Sequence, residues 1–519
     1  MDDTSIPLPR HGRAVAAAAA LLGLGVAWWL SAHDLINVYG DGVAHLNIAR
    51  KVVDAAPGTP LWTHYVQLGS PWLPVQHVLM LPFVWIDGLW RSGWAGTIPS
   101  LACYVVAVWC TYRLAFDLFD DAGEAREPVA LLSAVCVALN PSVLYLAAAP
   151  MTEVPFLAIL VAASWTLLRW SRDGRIASLV IAAACVAVAT LTRYEGWALV
   201  PAGALIVVVC ARGSLVDRAR TGAIWTSVAS LGILYWLWHN HVIAGDPLEF
   251  VRGPYSARAV FERANLGWAA VSVGQPVKSV GWALVTLAVV AGPLLVALGT
   301  AGGIARAISR GRDLARDLPA LLVAVPFAFL VFSLFRGEVQ IAPFAAVALL
   351  NVRYGVPHVA ALALLVGALA VKLAGRRAAV PLLLALVIGQ NVWLLGEGFS
   401  QVAVCQEAIR NSRNSSEWRE RDDVAVWLAE HPPAGRTLLH SGDLGPVVPR
   451  SGLTFSRIIH DGSPAWGEWV ASHHLPGDVS TVVARRGDEV LTRLSDDPEF
   501  SAKFVESFAS GPFVVFSRN

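Results

Sequence analysis

The sequence predicts a polytopic α-helical membrane protein, with about eleven transmembrane helices followed by a small extracytoplasmic α/β domain. Of the 519 residues, 56% are hydrophobic and only 15% are charged, whereas soluble domains carry about a quarter charged residues. Long apolar runs recur up to residue 396, and the composition turns polar after it. The formal net charge of +1 argues against a nucleic-acid partner, because such a partner requires a basic face.

Eleven apolar runs are predicted to cross the bilayer, since a spanning helix needs roughly 20 mostly apolar residues. They cover residues 14–31, 95–116, 129–148, 154–170, 176–192, 197–211, 222–239, 278–300, 318–335, 357–374 and 379–396. The first run also has the Ala-rich core of a signal peptide. No small-residue cleavage site follows Trp28 and Trp29, so an uncleaved first span is the better prediction.

The segment 72–90 is apolar as well, but prolines and Asp87 interrupt it. Short basic loops stay in the cytoplasm. The arginine-bearing loops that follow this segment can all be cytoplasmic if it does not cross the bilayer. We therefore predict one extracytoplasmic loop, 32–94, that carries an interfacial helix. The protein is expected in the plasma (inner) membrane with its N-terminus in the cytoplasm.

Residues 1–396 are predicted to form the membrane domain and residues 397–519 a separate α/β domain outside the cytoplasm. About 120 residues are enough for an independent core. The six cysteines show neither metal nor redox spacing, so no disulfide framework is predicted. In the second domain the pattern predicts a helix at 416–430 and strands at 436–440, 479–484 and 512–517.

Five polar clusters fall on the extracytoplasmic side in this topology. Ionisable groups at membrane depth are costly and tend to mark functional sites, although charges at loop ends can also be simply solvated. The first contains Asp41 and His45, and the second contains Glu153. The third contains Arg193, Tyr194 and Glu195, and the fourth contains Arg336, Arg353, Tyr354 and His358. The fifth is the long loop 240–277.

The first cluster lies in the stretch VYGDGVAHLNIAR. Gly40 and Gly42 permit a sharp turn, and residues 43–50 read as a helix with Asp41 as its N-cap, which is the purely structural interpretation. His45 lies on the same helical face as Asp41. Two ligands do not make a metal site, so no essential metal or other cofactor is predicted, and a divalent ion stays an open alternative.

The order of these motifs resembles the GT-C superfamily of glycosyltransferases, and within it the protein O-mannosyltransferase and aminoarabinose transferase-like branch. The matching segments are GDGVAHLNIAR, LNPSVLYLAAAPMTEVPFLAIL, ATLTRYEGWALVPAG and NVRYGVPHVAALAL. The resemblance covers residues 14–396 in layout. Many relatives carry Asp-Glu at the first motif, whereas Asp41 is followed by Gly42 here, so Asp41 is the single match for the catalytic base.

The resemblance implies transfer of a sugar from a polyprenyl-phosphate donor to a hydroxyl of a protein, lipid or glycan acceptor outside the cytoplasm. Asp41 would act as general base with inversion at the anomeric carbon, and Glu153 would orient the acceptor or assist the base. Positive charge must hold the donor phosphate, and arginine binds phosphate bidentately. The expected phosphate ligands are Arg353, then Arg193, then Arg336. The expected substrate pocket contains His45, Tyr194, Glu195, Tyr354 and His358.

Two other functions remain open from the sequence: a secondary transporter, and an envelope-assembly or lipid-handling membrane protein without catalysis. A transporter is expected to carry charges in the middle of its helices and to show inverted repeats. The predicted spans are nearly free of charge, and the ionisable groups gather on one side. The sequence therefore favours a glycosyltransferase over these two alternatives. It does not identify the sugar.

Overall fold

The computed structural model describes residues 10–55, 59–69, 72–264, 270–310, 316–344, 348–376, 378–495 and 497–519. Short parts of the predicted loops 32–94 and 240–277 therefore lie outside the described residues. The chain divides into two compact units. Unit 1 comprises Met1–His33, Ser70–Val75 and Ser100–Glu407, and unit 2 comprises Asp34–Gly69, Gln76–Pro99 and Ala408–Asn519.

Unit 1 is almost entirely helical, and each of the eleven predicted apolar runs forms helix in it. Its longer helices are Gly12–Ala32, Trp94–Leu118, Arg126–Ala138, Pro141–Ala148, Glu153–Asp173, Ile176–Thr190, Leu199–Cys210, Leu215–Ala229, Leu231–Ala244, Pro276–Ala291, Pro293–Arg310, Val325–Arg336, Val359–Lys372 and Ala379–Leu395. Two short strands, β1 (Ala342–Phe344) and β2 (Ala348–Leu350), pair antiparallel.

The chain is a multi-pass membrane protein. In the part of the chain that the structure describes, five helices are long and apolar enough to cross a membrane, or up to seven if each of two bent helix pairs is one span. These five are Gly12–Ala32, Trp94–Leu118, Glu153–Asp173, Leu318–Arg336 and Val352–Lys372. The other predicted runs form shorter helices, so the number of eleven spans stays a prediction.

In one bent pair, a buried side chain forms hydrogen bonds with the backbone groups at the break between the two helices. Pro276–Ala291 and Pro293–Ser309 meet at 116°, because Gly292 has a left-handed φ of 95° and the following proline lacks an N–H. Gln390 satisfies backbone groups on both sides of the break. Its Nε2 donates to the Ala291 carbonyl at 3.0 Å, and its Oε1 accepts from the Leu295 amide at 2.8 Å. A side chain at position 292 would collide with Gln390.

The segment 72–90 forms short helices that are too short to span. Val75–Val84 has 10 residues and Asp87–Ser92 has 6. At 1.5 Å per residue the longer one covers about 15 Å, whereas the hydrocarbon core is about 30 Å thick. This geometry agrees with an interfacial position, and the side of the membrane stays a prediction.

Cysteine labelling checks the predicted topology. A side chain at Gly88 or Gly375 meets open space, so cysteine is tolerated at both positions in a background free of the native cysteines. We expect a membrane-impermeant maleimide added outside intact cells to label Gly88→Cys and not Gly375→Cys, which lies in the basic loop between the predicted spans 357–374 and 379–396 and is expected in the cytoplasm. Labelling of Gly88→Cys only after permeabilisation would contradict the predicted orientation.

Unit 2 contains a five-stranded mixed sheet. Its strands are β3 (Arg436–Leu439), β4 (Ile458–Ile459), β5 (Val479–Arg485), β6 (Phe504–Ser510) and β7 (Phe513–Arg518). The order is β4-β3-β5-β7-β6; β3 runs parallel to β4 and β5, and β7 runs antiparallel to β5 and β6. The helices of unit 2 are Gly40–Val53, Leu61–Tyr65, Val75–Val84, Asp87–Ser92, Ser416–Glu430, Ser441–Leu444, Pro464–Ser472, Glu489–Leu494 and Pro498–Lys503.

The first loop and the C-terminal residues share one hydrophobic core in unit 2. Leu46 and Trp90 from the loop pack in the same cluster as Leu428 and Phe513. Trp90 lies in the segment predicted to be interfacial, but it is fully buried, and the guanidinium of Arg50 lies 4.6 Å from its ring centroid. The predicted boundary at residue 396 grouped the loop with the membrane helices, whereas the structure groups it with the C-terminal domain.

Candidate active site

A buried cluster of charged side chains in unit 1 is centred on Arg193. This residue has extended backbone and connects the helix Ile176–Thr190 to the next helical turn. Its Nη1 donates to Glu153 Oε1 at 2.7 Å and to Thr152 Oγ1 at 2.9 Å. Its Nε and Nη2 donate to Glu195 Oε1 at 3.0 and 2.8 Å. The predicted residues Glu153, Arg193 and Glu195 are thus brought together.

The electrostatics of Arg193 explain why it can be buried. Burial lowers the pKa of its guanidinium, but the carboxylates of Glu195 and Glu153 outweigh burial and raise that pKa above the ordinary range. A buried charge is tolerated only when it is paired and hydrogen-bonded. Arg193 is therefore a fixed positive charge that holds two glutamates in place.

Arg353 joins the same cluster through weaker contacts. Its Nε lies 3.3 Å from Glu153 Oε1 and its Nη1 lies 3.4 Å from Glu407 Oε1. Glu407 is 2% exposed, and its Oε2 accepts the Val352 amide at 2.8 Å. The turn that carries Arg353 begins at Asn351, whose φ of 54° is left-handed, a conformation that asparagine tolerates. Glu407 was not predicted, since its position lay in the segment assigned to the C-terminal domain.

Two aromatic residues complete the cluster. The guanidinium carbons of Arg193 and Arg353 lie 4.7 and 5.9 Å from the ring centroid of Tyr354, within the range of cation–π attraction. His358 is buried and packs edge-on against Phe327, with 5.8 Å between ring centroids. The predicted pocket residue Tyr354 therefore contacts both arginines, and His358 ends the same turn, Val352–His358.

The cluster has unused hydrogen-bonding capacity. Three carboxylates face two guanidinium groups, which leaves a formal charge of about −1 if all are ionised. Glu153 is fully buried, yet its Oε2 has no hydrogen-bond partner among the described residues. An unsatisfied buried acceptor is costly. Glu153 can therefore accept a hydrogen bond from a hydroxyl or other donor that enters the site.

Two predicted residues lie outside this cluster. The side chain of Arg336 is 58% exposed, and its ion pair within the described chain is with Glu338 at 3.8 Å. The ring of Tyr194 stacks on Phe250 at 5.2 Å, and its hydroxyl accepts from Trp236 Nε1 at 3.2 Å. Tyr194 thus belongs to an aromatic cluster, and Arg336 is not assembled with the other arginines.

Asp41 lies in unit 2, in the first turn of the helix Gly40–Val53, and the N-cap is Tyr39. The predicted N-cap role of Asp41 is therefore wrong. The predicted sharp turn is wrong too, because Gly40 and Gly42 lie inside the helix and neither has a positive φ. A carboxylate in the first turn interacts favourably with the helix dipole. Asp41 is half-buried on a rigid element.

His45 is buried one turn after Asp41, and its Nδ1 lies 2.8 Å from Nε2 of His77. Burial, followed by the nearby charges of His45 and Lys51, holds the pKa of His77 well below its usual range. The sequence did not single out His77. Among the described residues no group of three or more His, Cys, Asp or Glu side chains is placed to hold a metal ion, so metal independence stays a prediction.

Comparison with protein families gives a match over residues 87–238, to the family described as dolichyl-phosphate-mannose-protein mannosyltransferase. The matched region contains Glu153, Arg193 and Glu195. A comparison with curated proteins gives no match.

Comparison with solved structures gives the fold. The crystal structure of ArnT from Cupriavidus metallidurans bound to undecaprenyl phosphate has a TM-score of 0.52 and 14% identity, and the match covers 98% of each chain. Archaeal oligosaccharyltransferase AglB from Archaeoglobus fulgidus, in complex with an inhibitory peptide and a dolichol-phosphate, has a TM-score of 0.53 and 13% identity. That match covers 92% of this chain and 69% of AglB. The predicted GT-C fold is confirmed.

Proposed function

We propose that this chain, a membrane glycosyltransferase of the GT-C superfamily, transfers a sugar from a polyprenyl-phosphate-linked donor to an acceptor hydroxyl on the extracytoplasmic side of the plasma membrane. The observation that carries the proposal is the buried cluster of Arg193 and Arg353 with Glu153. The solved relatives support the donor class, because ArnT holds undecaprenyl phosphate and AglB holds dolichol-phosphate.

Arg353 is the proposed ligand of the donor phosphate. Its contacts to Glu153 and Glu407 are 3.3 and 3.4 Å long, whereas Arg193 makes contacts of 2.7 to 3.0 Å. The looser pairing leaves Arg353 the better able to turn its guanidinium toward a phosphate. Arg193 then acts mainly by fixing Glu153 and Glu195.

Asp41 is the proposed general base. An acceptor hydroxyl is a weak nucleophile, so a positioned base must take its proton as it attacks. The new bond forms between the hydroxyl oxygen and the anomeric carbon, the proton passes to the Asp41 carboxylate, and the bond from that carbon to the phosphate oxygen breaks. The leaving group is the polyprenyl phosphate dianion, which needs positive charge rather than a general acid. One direct displacement inverts the anomeric configuration.

Glu153 is proposed to orient a substrate hydroxyl. Arg193 and Arg353 both contact its Oε1, and its Oε2 is the unpartnered acceptor. A hydroxyl that donates to Oε2 would satisfy the buried carboxylate and be held at a fixed position, which is how positioning contributes to catalysis.

The test of this function is a transfer assay with the purified full-length protein in liposomes. A panel of radiolabelled polyprenyl-phosphate sugars is incubated with envelope fractions as acceptors, and covalent transfer is measured. Transfer with at least one donor supports the proposal. Transport of a solute across the liposome membrane without sugar transfer would contradict it and would favour the transporter instead.

We predict that transfer does not require a divalent metal. Arg353 and Arg193 supply the positive charge that a metal would otherwise supply to the phosphate. Activity in EDTA should therefore stay within about twofold of the untreated value, since no interaction with the transition state is lost. Activity that disappears in EDTA and returns with manganese or magnesium would contradict this expectation.

A further inference from the structure

A second polar cluster lies in unit 2, around the amine of Lys51. Lys51 follows Asp41 on the helix Gly40–Val53, about 15 Å further along the axis at 1.5 Å per residue. Its Nζ donates to Ser441 Oγ at 3.3 Å. The backbone N and the Oγ of Ser441 both donate to Asp461 Oδ1, at 2.6 and 2.5 Å. The proposed reaction uses none of Lys51, Ser441 and Asp461.

The amine of Lys51 has hydrogen-bond donors to spare. An ammonium has three N–H donors, and over the described ranges Ser441 is the hydrogen-bond partner that Lys51 has. Burial lowers the pKa of Lys51, and the nearby Asp461 raises it. Lys51 as a whole residue is half-buried, so part of its side chain is exposed at the edge of the cluster.

Two neighbouring histidines add no charge to the cluster. His460 is 4% exposed and His77 is fully buried. Burial, helped by the charge of Lys51, lowers the pKa of His460 to about 3, although Asp461 opposes the shift. With both imidazoles neutral at pH 7, the charges of Lys51 and Asp461 balance. The cluster therefore offers polar groups without an excess of either charge.

Two residues close to the cluster carry buried polar atoms without a hydrogen-bond partner. Over the described residues, Oε1 of Gln67 and Nδ1 of His77 are buried and make no hydrogen bond. Gln67 Nε2 donates to the Gly462 carbonyl at 2.8 Å. A Cβ at Gly462, next to Asp461, would lie 3.2 Å from Gln67 Oε1 and 3.4 Å from His460 Cε1. Gln67 Oε1 and His460 thus lie together beside Asp461, and the unsatisfied acceptor of Gln67 favours a hydrogen-bonding ligand there.

The cluster reaches the surface beside an aromatic side chain. His440 Nε2 lies 3.9 Å from Asp461 Oδ2, and the two side chains are 18% and 28% exposed. The His440 ring lies 5.9 Å from that of Trp466, which is half-buried. A site that joins an apolar ring to a few convergent polar groups is typical of small-molecule recognition.

We propose that this cluster binds a saccharide portion of the acceptor, so that the acceptor is a glycan or glycolipid. The proposal rests on the proposed function, which supplies the acceptor. A sugar hydroxyl both donates and accepts, and it can meet the amine of Lys51 together with the acceptors of Asp461 and Gln67. Phosphate recognition favours the bidentate fork of arginine, whereas the cation of this cluster is a lysine, and a peptide is more often bound along a strand edge.

The test uses full-length protein in liposomes with a radiolabelled polyprenyl-phosphate sugar. The acceptors are delipidated envelope polysaccharide and, separately, a serine-containing octapeptide. We expect Lys51→Met and His440→Ala each to raise the KM for the polysaccharide at least tenfold, with kcat and the KM for the donor changed less than twofold. Lys503→Met, an exposed lysine of the same unit, should change nothing. His440→Ala decides the test if Lys51→Met does not fold.

The outcomes separate this proposal from the proposed function. Transfer to the octapeptide but not to the polysaccharide, or an unchanged KM in both variants, would overturn the saccharide site. If no acceptor is modified, the proposed function fails, and binding is then measured without donor by tryptophan fluorescence. A polysaccharide Kd weakened tenfold in the variants but not in Lys503→Met would still support the site, whereas equal Kd values would overturn it.

Discussion

Replacement of Asp41 by asparagine should lower kcat about 10²- to 10⁴-fold, because a general base contributes roughly that factor to a reaction. Asparagine has nearly the same shape but cannot accept the proton of the attacking hydroxyl. The N-cap of this helix is Tyr39 rather than Asp41, so the change does not remove the N-cap residue. Its interaction with the helix dipole is worth about 0.3–1 kcal/mol. The KM for the donor should change less than twofold.

Asp34→Asn is the matched control for this experiment. Asp34 lies in the same loop, is exposed, and has a φ of 55°, which asparagine adopts as readily as aspartate. The same chemical change is thus made outside the helix that carries Asp41. Full sugar transfer by Asp41→Asn, or an equal loss of kcat in Asp34→Asn, would contradict the role of Asp41 as general base.

The secondary structure of the C-terminal domain could be predicted because its signals are local. The helix expected at 416–430 is observed as Ser416–Glu430, where Ser415 accepts the Trp418 amide, and serine is a favoured N-cap. The strand β6 was missed. Its middle residues are exposed and its sequence, FVESFAS, lacks a regular alternation, so the pattern gave no signal.

The packing of the first loop could not be predicted from local pattern. Val84 and Trp90 lie in the segment 72–90, which was predicted to be interfacial because the later arginine-bearing loops can be cytoplasmic only if it does not cross the bilayer. Their actual partners, including Val424 and Leu428, lie more than 300 positions away in the chain. Hydrophobic periodicity relates residues that are three or four positions apart in the chain. It does not determine which distant part of the chain an apolar face packs against.

The candidate site was predictable as a set of residue types but not as a set of pairs. Glu153, Arg193 and Arg353 could be identified because ionisable side chains at membrane depth are costly and tend to mark functional sites. The pairing of Arg193 with Glu153 and Glu195, and the anchoring of Arg353 by Glu407, required coordinates. Glu407 gave no signal because residues 397–519 were assigned to the C-terminal domain and not to the membrane site.

Arg353→Gln should mainly impair use of the donor and Arg193→Gln should mainly impair stability, because the two arginines are paired differently. Arg353→Gln should lower kcat/KM for the donor about 10²- to 10³-fold, the typical cost of losing one transition-state charge contact. It should destabilise the fold less than Arg193→Gln does. Glu153 keeps Arg193, and Glu407 keeps the Val352 amide.

Arg193→Gln should instead destabilise the fold. It leaves the buried Glu195 without its guanidinium and Glu153 with only the 3.3 Å contact to Arg353. Breaking a buried ion pair from one side costs about 3–5 kcal/mol of the free energy of unfolding, so the thermal unfolding temperature in detergent should fall clearly. Arg336→Gln, at an exposed arginine, should affect neither property. If Arg336→Gln weakened donor use as much as Arg353→Gln, the assignment of the phosphate to Arg353 would be wrong.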